Sequence, residues 1–191
     1  VTGNAAQCAM VFQEDALFPW RSARKNVEFP LKLRGVRGKE LKETATARLE
    51  QVGLGAYLHH LPSQLSGGMR QRVVIAIALS GDPEFLIADE PTTALDVSIQ
   101  DQILELIKAL CKERQVGCML VTHDMGVVSN VTDRVAVMYR GELMEIGPTA
   151  DVLGNPQHPY TKSLIAAVPR SDVKLVRFPL VSYIEEPGES S

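Results

Sequence analysis

Apolar residues follow two alternating patterns along this chain, short continuous runs and runs at helical spacing. The continuous runs are typical of buried strands, whereas a spacing near 3.6 residues is typical of helices with one face in the core. We predict strands at residues 8–12, 85–88, 118–121, 134–138 and 142–146. We predict helices at residues 39–52, 66–80, 98–114 and 125–130, with shorter helical pieces at 57–61, 148–153 and 159–168. Since strands and helices alternate from residue 66 onward, the pattern predicts an α/β fold with a parallel sheet.

The segment 14–65 differs from the rest because it contains no convincing strand. Within it, residues 22–33 carry apolar side chains at irregular helical spacing, and we expect Pro30 to break them. We interpret this segment as a helical subdomain inserted in an α/β core. The predicted domain limits are 1–13 for a remnant of the core with its strand, 14–65 for the helical subdomain, 66–147 for the α/β core, 148–170 for a C-terminal helical extension and 171–191 for a linker-like tail.

Composition narrows the class of protein. The 191 residues are 45% hydrophobic and 23% charged, which is typical of a soluble globular domain. A net charge of -3 without basic clusters argues against nucleic acid as a partner. Cys8, Cys111 and Cys118 are odd in number and form no CxxC pair, so reduced thiols in a cytosolic protein are the expected state. The chain starts at Val1 without an initiator Met, from which we expect a truncated N-terminus.

The candidate chemistry lies in residues 65–96, which read LSGGMRQRVVIAIALSGDPEFLIADEPTTALD. Ser66 can cap the helix that follows, and Gly67 and Gly68 let backbone N–H groups approach an anion closely. A helix N-terminus is a natural phosphate site because its amides are unpaired and its dipole is positive. This end of the segment therefore predicts phosphate binding.

Two acids, Asp89 and Glu90, end the strand 85–88. Open α/β sheets place their ligands at the carboxyl ends of strands, so paired acids at this position indicate work on a magnesium-bound nucleotide. The alternative is a solvated acidic strand end without a function.

The motifs LSGGM, FLIADE and TALD, in this order and spacing, resemble those of the ATP-binding subunits of ABC transporters. The resemblance implies a P-loop NTPase-like (RecA-like) parallel sheet core with an inserted helical subdomain, its N-terminal part missing here. It also implies ATP hydrolysis with ATP and Mg²⁺ as cofactors.

The resemblance assigns catalytic roles at three strand ends. Asp89 would hold magnesium, mostly through water, and Glu90 would polarise the attacking water. Gln13, in the context VFQED, matches the Q-loop glutamine, which approaches the magnesium and the water on a loop that faces the membrane subunits. His123, in the context VTHD, matches the switch histidine that contacts the γ-phosphate. For Gln13 and His123 the alternative is an ordinary structural group at a strand end.

The resemblance assigns Ser66, Gly67, Gly68 and Met69 to the signature motif, which closes over the γ-phosphate bound by the other subunit. Met69 stands where a glutamine is common, and we expect the backbone geometry to persist. Asp96 matches the D-loop of the dimer interface. Asp96 could also cap the helix beginning near residue 98, and both roles can hold together.

A phosphate-cradling G-x-x-x-x-G-K-[ST] loop is not found in these 191 residues. The only Gly-Lys pair is Gly38-Lys39, with Leu33 at the place of the first glycine and Glu40 at the place of Ser or Thr. We therefore expect this chain alone to bind ATP poorly and to hydrolyse it negligibly.

Two subfamily resemblances appear. Residues 1–60 are similar to ATPases of nitrate, sulfonate and taurine importers, through FQE, ALFPW and NV. Residues 73–184 are similar to ATPases of oligopeptide, dipeptide and glutathione importers, most of all through GPTADVLGNPQHPYTKSL. We therefore hypothesise a mosaic chain with a seam near residues 62–73.

Taken together, the resemblance implies a subunit that powers a nutrient importer from the cytoplasmic face of the inner membrane, as a peripheral protein. Its partners would be a second ABC ATPase domain, the transmembrane permease subunits and, indirectly, a periplasmic or extracellular binding protein. A second hypothesis is a non-hydrolytic partner that donates its signature motif to the ATP site of another subunit. A third, the soluble ABC proteins of translation or DNA repair, is disfavoured by the near-neutral charge and the importer-like tail.

Overall fold

The computed structural model describes residues 8–13, 16–93 and 95–167. The strands are β1 (Cys8–Val11), β2 (Phe85–Asp89), β3 (Gly117–Val121), β4 (Arg134–Tyr139) and β5 (Glu142–Pro148). The helices are α1 (Ala23–Leu33), α2 (Gly38–Gln51), α3 (Gly67–Leu79), α4 (Val97–Arg114), α5 (Met125–Val131), α6 (Thr149–Gly154) and α7 (Pro159–Ala166). Two 3₁₀ turns, Gly55–Tyr57 and Pro62–Gln64, flank residues 58–61, so the helical piece predicted at 57–61 is wrong beyond Tyr57. The predicted α/β alternation is confirmed.

The strands β1, β2 and β3 form a parallel sheet in that order, with β2 in the centre. One face of this sheet carries its buried residues, and Val11, Leu86 and Ala88 on it are 0% exposed. The prediction of a wholly buried strand at 85–88 is wrong for the described residues, because Phe85 on the other face is 40% exposed. Further apolar side chains exposed on that face are Met10, Phe12, Met119 and Val121.

Helix α3 is the centre of the first compact unit, residues 1–123. It packs against α1, α2, α4 and β1, and it is therefore buried nearly all round instead of on one face. The helical spacing in residues 66–80 predicts one apolar face through Val73, Ile77 and Leu79. This prediction is wrong, because Ile75 and Ala76 are buried while Ile77 is only partly buried.

Pro30 does not break the helical segment that contains it. It lies inside α1, which continues to Leu33. The loss of one backbone donor is offset because Val27 and Leu31, 0% and 3% exposed, anchor this helix in the core.

The second compact unit, whose described residues are 124–167, is built on the antiparallel pair of β4 and β5. The sequence Tyr139-Arg140-Gly141 between these strands predicts a hairpin turn. This prediction is confirmed, because Arg140 and Gly141 both have positive φ, 49° and 85°, as a tight hairpin turn requires. Helices α6 and α7 pack against β5. Residues 168–191, which include the predicted tail, lie outside the described part of the chain. The predicted domain limits stay predictions.

Candidate functional site

Three candidate residues follow three neighbouring strands. Gln13 comes two residues after β1, Glu90 directly after β2, and His123 two residues after β3. Because the three strands are parallel and adjacent, their carboxyl ends line one edge of the sheet. Gln13 is exposed there, while Glu14 and Asp15 of the same motif lie outside the described residues.

Glu90 and His123 are in direct contact. The Nδ1 atom of His123 lies 2.6 Å from Oε1 of Glu90, and the backbone N–H of His123 donates to the same oxygen at 3.2 Å. The other oxygen, Oε2, accepts a hydrogen bond of 2.5 Å from the hydroxyl of Thr93. Both carboxylate oxygens are thus fixed by neighbouring groups.

The backbone of Glu90 also differs from that of an ordinary strand end. Its φ of 47° is in the left-handed region, which costs a non-glycine residue about 1–3 kcal/mol and is concentrated at functional sites. Its N–H donates to the carbonyl of Val121 at 2.9 Å. This bond ties the turn after β2 to the end of β3 and holds Glu90 beside His123.

Electrostatics keep the Glu90 carboxyl ionised. Burial alone would raise its pKa, since the side chain is only 23% exposed. The hydrogen bonds from Thr93 and His123 outweigh burial, and the pKa of Glu90 lies below its ordinary value. At neutral pH an ionised, firmly held carboxylate can accept a hydrogen bond from a water molecule.

Thr93→Val is expected to raise the pKa of Glu90, because it removes a hydrogen bond to the charged form. Since the folded-state pKa is depressed, ionisation of Glu90 stabilises the fold above the unfolded-state pKa, and this contribution is lost as the pH falls through the folded-state pKa. The free energy of unfolding of the variant should therefore be lower than that of the unsubstituted chain at neutral pH and equal to it in acid. Carbon-detected NMR titration of the Glu90 carboxyl measures the pKa directly.

Thr93→Ser is the matched control for this change, because it keeps the hydroxyl. Its Glu90 pKa should remain that of the unsubstituted chain. An unaltered pKa in Thr93→Val would contradict the assigned hydrogen bond.

The signature residues lie at the start of α3 and form a separate cluster. The Ser66 hydroxyl caps α3 by accepting from the N–H of Met69 at 3.3 Å. Asp96 caps α4 in the same way, with Oδ1 accepting from the N–H of Ile99 at 3.1 Å. The capping role considered for Asp96 is therefore confirmed, and its role at a dimer interface stays a prediction.

Packing requires a glycine at position 68 and leaves little room for a side chain at position 67. A Cβ at Gly68 would lie 2.5 Å from Cγ2 of Ile99, and one at Gly67 would lie 3.1 Å from Cδ2 of Leu95. The first turn of α3 thus packs directly against the segment that begins α4. Sequence reasoning assigned these glycines to anion binding and did not foresee this contact.

The candidate site offers side-chain oxygen atoms that suit magnesium. In residues 8–13, 16–93 and 95–167, no three His, Cys, Asp or Glu side chains gather as a metal site. Magnesium does not need such a group, because it keeps waters and takes one or two carboxylates together with phosphate oxygens. Asp89, the last residue of β2, and the Gln13 amide offer the oxygen atoms that this ion prefers.

Sequence reasoning missed Glu145, which holds the start of the segment HPYT, residues 158–161. Its carboxylate accepts from the backbone N–H groups of Gln157 at 2.8 Å and His158 at 3.1 Å. The hydrogen bond from Gln157 is the largest of the effects that lower the pKa of Glu145. The rings of Tyr160 and Tyr139 then pack at 4.4 Å between centroids. Thr93 was missed as well, and its position three residues after Glu90 was the available signal.

No helix in the described ranges has the length and apolar character needed to cross a membrane.

Two known protein families match parts of this sequence. Residues 3–93 match the family described as ABC transporter, and residues 144–183 match the family described as oligopeptide/dipeptide transporter, C-terminal region. The glutathione import ATP-binding protein GsiA of Escherichia coli K12 is 46% identical over 98% of this chain and 32% of its own length. That of Salmonella paratyphi A is 48% identical over 97% of this chain and 31% of its own length. This chain thus spans about a third of the length of these curated relatives.

A solved structure supports the same fold. The dimeric post-hydrolysis structure of the ATP-binding cassette MJ0796 bound to ADP and Pi superposes with a TM-score of 0.66 at 35% identity. The match covers 75% of this chain and 63% of that one. The predicted RecA-like parallel sheet and the resemblance of residues 73–184 to glutathione and peptide importers are confirmed. The GsiA match runs through both parts of the chain and therefore gives no support to a second subfamily in residues 1–60. The nitrate-type resemblance and the seam stay predictions.

Proposed function

Because this chain belongs to the ABC transporter family of ATP-binding proteins, we propose that it forms part of the ATPase of an importer for glutathione or other small peptides. The observation that carries the ATPase assignment is the contact between Glu90 and His123 at the carboxyl edge of the sheet. The importer class is supported by the match of residues 144–183 to the oligopeptide/dipeptide transporter family and by the glutathione importers among the relatives.

In this proposal each strand end has one task. Glu90, ionised and held on both oxygens, orients the water that attacks the γ-phosphate. His123, 79% exposed, stands beside that position and contacts the γ-phosphate. Asp89 and Gln13 would hold Mg²⁺, and that ion would supply positive charge against the phosphate oxygens.

The helix-end cluster has a different task in this proposal. The amides of Gly67 and Gly68 begin α3 beyond the Ser66 cap, and they would face the phosphate held by a second ATP-binding domain. The dimeric state of MJ0796 supports such a pairing. The glutathione import proteins among the relatives support permease subunits and, indirectly, a binding protein as partners, with this protein peripheral on the cytoplasmic face of the inner membrane.

A chimera tests the importer assignment. The 191 residues of this chain replace the aligned stretch of E. coli GsiA, and ATP-dependent glutathione uptake is measured in cells lacking GsiA. Uptake above that of the empty cells is the expected result. A chimera that hydrolyses ATP in the purified state but takes up no glutathione would contradict the substrate class. A well-expressed chimera without ATP hydrolysis would contradict the ATPase assignment itself.

A further inference from the structure

Three arginines from three helix ends converge on one short stretch of the first unit. This stretch, residues 79–82, ends α3 and leads towards β2. Arg34 caps the end of α1, Arg48 lies in the last turn of α2, and Arg114 is the last residue of α4. Each of them donates a hydrogen bond to residues 79–82. We call these three arginines together with Asp82 the arginine clasp.

Asp82 is the acidic member of the clasp, and two arginines share one of its oxygens. Its Oδ1 accepts from Nη2 of Arg48 at 2.7 Å, and Nη1 of Arg114 lies 3.4 Å from the same atom. Gln51 accepts from both guanidiniums through Oε1, at 3.3 Å from Nη1 of Arg48. Arg114 also donates to the carbonyl of Leu79 at 3.2 Å. Side-chain hydrogen bonds thus join the ends of α2, α3 and α4.

The helices α1 and α2 are held by two adjacent residues of this stretch. Arg34 donates to the carbonyl of Gly81, while Arg48 donates to the carboxylate of Asp82. A Cβ at Gly81 would lie 3.1 Å from Nη1 of Arg34, so the guanidinium is in close contact with the backbone there. Asp82 has a left-handed φ of 45°, which aspartate and asparagine tolerate better than most residues. The two helices therefore share one anchor.

The charges of the clasp are unequally exposed to solvent. The side chains of Arg48 and Arg114 are 18% and 14% exposed, whereas that of Asp82 is 67% exposed. Burial, and next the charge of Arg48, lower the pKa of Arg114, so the two guanidiniums repel each other. The Asp82 carboxylate offsets this repulsion from an exposed position, where dissolved salt screens its charge. The clasp should therefore weaken as the salt concentration rises.

We propose that the arginine clasp is a salt-sensitive conformational device that fastens α1 and α2 to the turn before β2, and that both helices loosen together when it opens. The inference is independent of the proposed transport function. Contiguous elements of a protein commonly open as one unit while the rest stays folded. Since α1 and α2 also pack on each other and on α3, opening of the clasp should increase their fluctuations without unfolding the chain.

Amide hydrogen exchange of the 191-residue chain, followed by mass spectrometry, tests the proposal. Asp82→Asn keeps a residue that tolerates the left-handed turn but removes the charge. Exchange in α1 and α2 should become about tenfold faster, the order of magnitude that a hydrogen bond to a charged group contributes, while exchange in α3 and β2 stays unchanged. Salt at about 1 M, where the Debye length is about 3 Å, should accelerate the same helices in the unsubstituted chain and not in Asp82→Asn.

Glu43→Gln is the matched control for the loss of one carboxylate. It breaks an ion pair of 3.5 Å with Lys39, in which both partners are exposed and both lie on α2. This pair joins no second helix. The exchange rates of Glu43→Gln and their response to salt should therefore equal those of the unsubstituted chain.

Three results would overturn the proposal. Unchanged exchange in Asp82→Asn, or acceleration confined to the last turn of α2, would reduce the clasp to a local ion pair. Equal acceleration in α3 and β2 would make Asp82 a support of the whole core. If Asp82→Asn does not fold, the unsubstituted chain decides alone: exchange in α1 and α2 that does not respond to salt contradicts the proposal, and joint acceleration of these two helices supports it.

Discussion

Replacing Glu90 by glutamine in the GsiA chimera is expected to lower ATP turnover by about 10²–10⁴-fold, the usual contribution of a positioned general base. The amide is nearly isosteric with the carboxylate, and it can still accept from Thr93. It carries no charge, however, and so it cannot polarise the attacking water. ATP binding should be retained, because Glu90 holds no phosphate in the proposed arrangement. The measurements are steady-state phosphate release and equilibrium binding of ATP by the purified protein.

Glu84→Gln is the matched control for this experiment. Glu84 is exposed to solvent, whereas Glu90 is partly buried, and Glu84 precedes β2, at the end of the strand opposite to Glu90. Its replacement should leave turnover unchanged. Glutathione uptake that survives Glu90→Gln would favour the second hypothesis, in which this chain lends only its signature motif to the ATP site of another domain.

Much of the candidate site at the carboxyl edge of the sheet could be predicted from the sequence, because Gln13, Glu90 and His123 each come within two residues of the end of an apolar run. Short runs predict strands, and parallel strands bring their carboxyl ends to one edge. The contact between Glu90 and His123 could not be predicted in this way, because it depends on β2 and β3 being neighbours in the sheet. A motif places a residue on a strand, while the sheet order decides which residues touch.

Packing set the other limits of prediction. The closeness of Gly68 to Ile99 joins residues on two helices, and no local pattern marks it. Pro30 was expected to end a helix on local grounds, yet the buried Val27 and Leu31 keep that helix intact. In both cases tertiary contacts outweighed a local preference.

Asn26 shows the same limit, because a polar residue inside a helix carries no pattern that predicts its task. It is 1% exposed in α1, and its side chain is a hydrogen-bonding centre for the preceding loop. Oδ1 accepts from the N–H of Phe18 at 2.8 Å. Nδ2 donates to the carbonyls of Phe18, Arg21 and Ser22 at 3.3, 3.0 and 3.1 Å. One amide thus holds the loop that leads from the Gln13 region into α1.

Asn26→Ala is therefore expected to lower the free energy of unfolding by about 3 kcal/mol, since buried polar groups left without partners cost about 1–3 kcal/mol each. Urea unfolding followed by circular dichroism measures this change. Asn130→Ala is the matched control: Asn130 is exposed on α5, and its replacement should change the free energy by less than about 0.5 kcal/mol.

The single tryptophan tells whether Asn26 acts on the loop or only on the core. Trp20 lies within the loop, is 72% exposed, and its ring packs 5.8 Å from that of Phe18. In Asn26→Ala, Trp20 fluorescence should change at lower urea than the helical signal, because the loop loses its hydrogen bonds before the core opens. A loss of stability below about 0.5 kcal/mol, the range of surface substitutions, would contradict the role given to Asn26. Coincident transitions at a reduced urea midpoint would instead make Asn26 part of the global core, because the loop would then open only when α1 leaves its place.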